Sequence, residues 1–376
     1  MTKTEKRLHP PMTITRIETD LLRVPLKRPV SLPASQDPRP ATDVDVILVR
    51  VLTSGGTTGL GFAYTLGGGG PVVKSLLDTV IADVVRGQDP NAVEFLYLKA
   101  WAELEGLGFT GLAARAYAAV DFALWDLKGK QAGLPVHRLL GGYRTKLKAI
   151  VSDAATPAVG TKQAIAETKA ALDRGAAGVQ IEVGTQDPEF DVERVRRLRE
   201  EVPDGAWFEI SACGRYDYST AAWMGEVGAD ELGIDGYSDP LRPDDFDGLG
   251  RLVDRLNVGL SVGALATRPD DLVRVVDHGG IDAVRIDLLR LGGLTPARKV
   301  AAYAELKHVA VYPVRLPEIG THLSAGVVYG RMCEHVDWFK DLFHGGPRFE
   351  NNQLVVSSDP GLGLTVNEVV AAKYRV

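Results

Sequence analysis

Apolar residues fall into two patterns along the chain, and they meet in the stretch GLAARAYAAVDFALWDLKGKQAGLPVHRLLGG, from Gly111 to Gly142. Between Leu112 and Gln131 nothing breaks a helix, and apolar residues recur at Ala116, Val120, Leu124 and Leu127, the spacing of one helical face. Ala114, Ala118 and Trp125 fill the opposite flank, which predicts a helix apolar nearly all round and therefore buried. Asp121 lies among these residues and needs partners there. Gly133 is placed to end the helix in the left-handed region, and Pro135 prevents its continuation.

Before this helix the pattern alternates. Residues 13–26 and 43–53 read as strands, with a third around Gly61–Tyr64, and helices follow at 71–86 and 90–105. The Pro/Ser-rich PVSLPASQDPRPAT between the first two strands is too long for a hairpin turn and reads as a lid or binding loop. Gly67–Gly70 has neither the Lys-Ser/Thr nor the strand–helix frame of a phosphate cradle. From Lys148 a beat begins. Short apolar runs at 148–153, 178–183, 206–212, 232–238, 259–264, 283–288 and 309–314 are each followed by an amphipathic segment, at the spacing of one βα unit. With a last short strand at 332–336 they predict an eight-stranded parallel barrel. The tail FENNQLVVSSDPGLGLTV returns to strand and turn language and is expected to pack on the first domain.

The chain has 376 residues, 45% hydrophobic and 24% charged, as expected for a soluble globular protein. A net charge of −6 offers no basic field for nucleic acid or anionic membrane, and no apolar run has the length of a membrane span. The leader MTKTEKRLHPP lacks an apolar core and is no secretory signal. Cys213 and Cys333, the two cysteines, form no metal motif or disulfide framework, which suits a reducing, cytoplasmic location.

The segment AVDFALWDLKGKQAGLPVHRLLGG resembles the signature of the enolase superfamily, in its mandelate racemase and muconate-lactonising branch. GLGFAYT, LRLGGLTPARKVAAYAE, PEIGTHLSA and DPGLGL add to the resemblance, which runs from about residue 13 to 366. It implies an α/β fold: a (β/α)7β TIM-like barrel with an α+β capping domain formed by the N-terminal region and the C-terminal tail. The expected divisions are a flexible leader at 1–12, a cap at 13–142, a barrel at 143–345 and a C-terminal segment at 346–376 on the cap. It also implies loops at about 27–42 and 62–70 closing over the barrel. The implied chemistry is proton removal alpha to a carboxylate with Mg²⁺ holding the enediolate, and homo-oligomers, dimers or octamers, are usual.

At the positions that matter the chain departs from that family pattern. Gln180 and Glu182 stand where relatives carry Lys-x-Lys. Ser211, Ser238 and Ala264 stand where relatives carry metal ligands, and two hydroxyls and a methyl do not make a magnesium site. No cofactor is expected, magnesium included, although a displaced site built from Glu182, Glu209 and Asp239 is an alternative. Asp287 matches the aspartate of the Asp–His dyad, Val314 takes the histidine position, and Glu334 matches a glutamate that can donate to the substrate. His322 falls behind the barrel as a structural residue.

The expected catalytic groups are Asp287, Glu182 and Glu334, since neighbouring carboxylates push each other's pKa apart into one acid and one base. Gln180, Tyr216, Arg285, Arg315 and Tyr64 are expected to bind substrate, with Arg285 alternatively pairing with Glu209 across the barrel. The function expected is a metal-independent isomerase, racemase or dehydratase-type lyase acting on a small carbonyl or hydroxy-acid-like molecule. The alternatives are a catalytically inactive homologue that binds a ligand or partner, and an ordinary Mg-dependent acid-sugar dehydratase or racemase with a displaced metal.

Overall fold

The computed structural model describes residues 12–32, 40–278 and 280–376. The polar leader and most of the Pro/Ser-rich loop lie outside the described residues. The cap opens with an antiparallel sheet in the order β1 (Ile14–Val30), β2 (Ala41–Thr53), β3 (Thr58–Leu66). Its helices are α1 (Gly70–Leu76), α2 (Ala82–Val85), α3 (Val93–Leu104), α4 (Gly111–Ala132) and α5 (Val136–Leu139). A π turn at Leu77–Ile81 joins the first two. Helix α4 is the buried helix that the sequence predicts. It ends at Gly133, with φ of 65°, a conformation glycine adopts without a Cβ penalty.

Helix α4 lies against β3 because two glycines let it. A Cβ on Gly59 or Gly61 would meet the carbonyl oxygens of Ala123 and Ala119, at 2.0 and 2.1 Å. Asp126 then accepts from the amides of Leu60 and Leu362, both at 2.8 Å, and so ties cap sheet, helix and C-terminal tail together.

The barrel alternates β4 (Lys146–Ala155), α6 (Thr161–Asp173), β5 (Gly178–Glu182), α7 (Pro188–Arg199), β6 (Trp207–Ser211), α8 (Tyr218–Asp230), β7 (Gly236–Ser238) and α9 (Phe246–Arg255). It continues with β8 (Gly259–Val262), α10 (Pro269–His278), β9 (Ala283–Ile286), α11 (Leu288–Leu291), α12 (Leu294–Leu306), β10 (Ala310–Pro313), α13 (Pro317–Gly326) and β11 (Met332–His335). Strands β4 to β10 pair in parallel in chain order, and β11 returns to pair with β4. The fold is thus an α+β cap on a (β/α)7β barrel, as expected. The strand expected from 232 begins only at Gly236; before it, the amide of Ile234 is taken by the carbonyl of Gly228 in the last turn of α8, at 3.2 Å.

Strand β12 (Phe343–Gly345) pairs with β15 (Leu364–Val366), and between them β13 (Arg348–Glu350) and β14 (Gln353–Val355) form a hairpin. Besides this pairing within the tail, β14 adds to barrel strand β4. Helix α14 (Glu368–Tyr374) follows, and Val376 donates to the carbonyl of Leu21 in β1. His322 is buried behind the barrel, accepting from the His137 amide at 3.2 Å and facing the Leu362 carbonyl at 3.1 Å. Burial pushes its pKa down to about 4, the behaviour of a structural imidazole. No described helix is long and apolar enough to cross a membrane.

Candidate active site

Alternate residues of a strand share a face, and inside this barrel that face is polar. Gln180 and Glu182 on β5, Glu209 and Ser211 on β6, Ser238 on β7, Ser261 on β8, Arg285 on β9 and Glu334 on β11 are all buried. Such groups are tolerated only when partnered, and Arg285 partners three acids. Its Nη1 lies 3.2 Å from Glu209 Oε1, its Nε 3.2 Å from Asp239 Oδ2 and its Nη2 2.8 Å from Glu334 Oε2. Burial pulls the guanidinium's pKa down, but the attraction of Asp239, Glu334 and Glu209 more than offsets it and leaves the group firmly charged. Burial pushes the Glu209 carboxyl up, and Arg285 opposes it.

Each acid has further partners. Glu209 accepts from Gln180 at 2.8 Å and Trp207 Nε1 at 2.9 Å, and also from the Ser238 hydroxyl. The Ser152 hydroxyl donates to Glu334 at 2.5 Å. Asp239, with φ of 41°, accepts from the amides of Gly263 and Ala264 at 2.8 and 3.1 Å. Glu182 is bound by Arg215, which also reaches the carbonyls of Val183 and Leu32.

Above this network, at the ends of the strands, lies a second charged group. Asp287 caps α11, its Oδ1 accepting from the amides of Leu289 and Arg290 at 3.0 and 3.2 Å, while Arg290 Nε stands 3.4 Å from Oδ2. Burial lowers the Arg290 pKa, Asp287 raises it, and the nearby Arg115 and Arg315 lower it again. Arg315, in a left-handed backbone conformation at φ 59°, places Nε 3.9 Å from Glu334 Oε1 and Nη2 3.8 Å from Cys213 Sγ. Tyr64 comes from the cap. Burial first, and then Asp287, push its hydroxyl up to about 12, against Arg315 and Arg115. The Arg115 guanidinium lies 5.6 Å over the Tyr64 ring and donates to its carbonyl at 3.2 Å.

The structure thus gathers Asp287, Arg315, Glu334 and Tyr64 at the barrel mouth. Gln180 and Arg285 lie deeper, occupied by Glu209 and its neighbours. Tyr216 turns away: its hydroxyl donates to Asp191 at 2.9 Å, and Asp191 also binds the amides of Gly184 and Thr185 at 3.0 and 2.8 Å. Arg115 and Arg290 were missed by sequence reasoning. Arg290 carried a signal, standing three residues after an aspartate that caps a helix; Arg115, in an otherwise apolar run, gave none.

Among the described residues no three His, Cys, Asp or Glu side chains are grouped so that they could hold a metal ion. Magnesium asks for several oxygen ligands, and here the acids are bound to Arg285 and Arg215. The side chains as arranged do not fit the ion, and the alternative set of Glu182, Glu209 and Asp239 is not brought together.

Residues 17–141 match the N-terminal domain of mandelate racemase / muconate lactonizing enzyme, and residues 163–370 match the family described as Enolase C-terminal domain-like. The chain is 27% identical to L-talarate/galactarate dehydratase of Salmonella typhimurium over 94% of its own length and 88% of that protein. It is 29% identical to 3,6-anhydro-alpha-L-galactonate cycloisomerase of Streptomyces coelicolor, over 94% of this chain and 97% of that one. The Salmonella typhimurium dehydratase, solved with Mg and L-lyxarohydroxamate, superimposes with a TM-score of 0.91 at 26% identity, over 100% of this chain and 95% of that one. A racemase from Streptomyces coelicolor with bound magnesium gives 0.90 at 26% identity, over 96% and 100%. These structures overturn the expectation of no cofactor, for proteins of this fold and this degree of likeness are solved with magnesium in place. That expectation rested on side chains at three strand ends, which say nothing of ligands gathered from elsewhere. Matched across both its cap and its barrel, the chain belongs to the enolase superfamily, in the mandelate racemase and muconate lactonizing branch.

Proposed function

We propose that the chain is an isomerase or lyase acting on a small polyhydroxy carboxylate, the substrate class named for the dehydratase and cycloisomerase relatives. The observation that carries this reading is the meeting of one carboxylate, Asp287, with Arg290, Arg315 and Arg115 beneath the cap's Tyr64. Removing a proton next to a carboxylate builds negative charge, which preorganised cations stabilise. Arg315 and Arg290 receive the substrate carboxylate, and Asp287 takes the proton and returns it. Backbone amides and Arg290 hold the Asp287 carboxylate in one orientation, as a positioned acid–base group requires. Glu334, anchored by Ser152 and Arg285, orients the far side of the substrate. Magnesium is the cofactor to which the solved relatives point, and assays are therefore run with it in the buffer.

The test is proton NMR in deuterium oxide with a panel of aldonic and aldaric acids. Loss of the C2 proton signal, or appearance of a 2-keto-3-deoxy product, is the expected result, with Arg315→Gln raising KM. No exchange and no product across the panel defeats the proposal. One observation favours ligand binding without turnover: Glu182 and Glu334 are already held in buried ion pairs. Binding of a panel acid by calorimetry with no exchange would establish that second reading.

A further inference from the structure

The interior of a barrel of this type is normally filled by layers of bulky side chains. The lowest layer here is not. Gly236 and Gly259 face each other on β7 and β8, and Ala283 and Ala310 follow on β9 and β10. Trp207, paired in register with Gly178, is the large side chain among them. What these small residues leave is a cavity of about 570 Å³ at the end of the barrel opposite the mouth.

Its lining is sorted by chemistry. Walls come from Trp207, Ala283, Ala310 and Met332. At the rim stand Lys146, Lys148 and Arg331, all exposed and none ion-paired among the described residues. Arg144 joins them, with one nitrogen on the Val328 carbonyl at 2.5 Å. The acids of the lining are already engaged: Asp282 accepts from the Leu260 amide at 2.8 Å, and Glu209 is bound by Arg285, Trp207 and Gln180. Tyr312 also lines the cavity, is 1% exposed, and its hydroxyl has no hydrogen-bond partner among the described residues. A buried hydroxyl without a partner is costly, and a ligand would supply one.

We propose that the barrel floor is a second binding site, for a small anion with an apolar or aromatic body. The body fills the space left by the glycine and alanine layer beside Trp207. The anionic group stays at the rim among Lys146, Lys148 and Arg331, and a polar atom of the body meets the Tyr312 hydroxyl. Nothing of the catalytic mouth is required for this site.

The test is calorimetric titration of the full chain with phenyl phosphate, which carries both halves of the proposed ligand, and with inorganic phosphate and phenol, which carry one each. One site is expected for phenyl phosphate, with either half binding weaker by about tenfold or more. Filling the cavity in Ala310→Leu should abolish binding. The double variant Lys148→Gln/Arg331→Gln, altered only at exposed charges, should weaken binding about tenfold even if the first variant folds poorly. Arg315→Gln at the mouth should leave it unchanged. Absence of binding at millimolar phenyl phosphate would overturn the proposal. So would binding that survives both floor changes, or that disappears in Arg315→Gln.

Discussion

Two groups of buried acids in this molecule are held by different means. Where the cap meets the barrel, Asp121 accepts from the Thr295 amide at 3.0 Å, and Asp126 accepts from the amides of Leu60 and Leu362, with Lys130 alongside at 2.6 Å. Backbone amides bind both acids, with the Thr295 side chain and Lys130 adding to them, and the acids work as clamps between segments far apart in the chain. Inside the barrel, Glu209, Asp239 and Glu334 instead share the side chain of Arg285. The difference lies in what remains after a loss. A clamp that fails leaves one or two buried amides short of an acceptor, whereas removing one guanidinium takes the counter-charge from three buried carboxylates at once.

Replacing Arg285 tests that contrast most severely. Arg285→Met is expected to cost about 3–5 kcal/mol in urea denaturation, as breaking a buried ion pair does, and a cost under about 1 kcal/mol would show that the acids simply take up protons or water. At the joint, Asp126→Ala should cost about 1–3 kcal/mol by the same measurement, the penalty for buried amides left unsatisfied. If it equals or exceeds the Arg285 variant, the contrast between the regions fails.

Asp121 offers a sharper, pH-dependent reading. Burial, partly opposed by hydrogen bonds from Thr295, raises its pKa from 3.8 to about 7. The folded chain therefore holds this proton more tightly than the unfolded one. The stability it contributes is full below about pH 4 and is lost as pH rises through about 7. In Asp121→Asn the fall in stability over that window should shrink relative to the native chain, and an identical pH profile for both would contradict the assignment. The smallest effect is expected at Thr295→Val, which removes the acceptor of Trp125 Nε1 at 2.9 Å and should cost about 1 kcal/mol in a thermal melt.

The same contrast explains how much could be read from the chain alone. Helix α4, its glycine stop and the repeating βα units are local patterns, and each fell within a few residues of its expected place. That Asp121 needs a partner was also legible, since no charged group belongs in an apolar helix without one. The identity of that partner, an amide 174 residues away, was not. Of the interior network, the pairing of Arg285 with Glu209 was legible and is present at 3.2 Å; that Arg285 also holds Asp239 and Glu334, the latter 49 residues away, was not, since no local periodicity joins them. Tyr216 shows the same limit from the other side. Its place after a barrel strand suggested the mouth, but Asp191, at the start of the preceding helix, captures its hydroxyl. Among the residues gathered at the mouth, Asp287, Glu334, Arg315 and Tyr64 were read from the sequence, whereas Arg115 and Arg290 emerged only once cap and barrel were seen together.

The central claim is that Asp287, framed by Arg290, Arg315 and Arg115, moves a proton on a hydroxy carboxylate. Deuterium incorporation at C2, followed by NMR with magnesium present in native chain and Asp287→Asn, tests it most directly. The account predicts exchange in the native chain and a fall of about a hundredfold or more in the variant, with both chains melting as folded proteins. Exchange at the native rate in Asp287→Asn would contradict it.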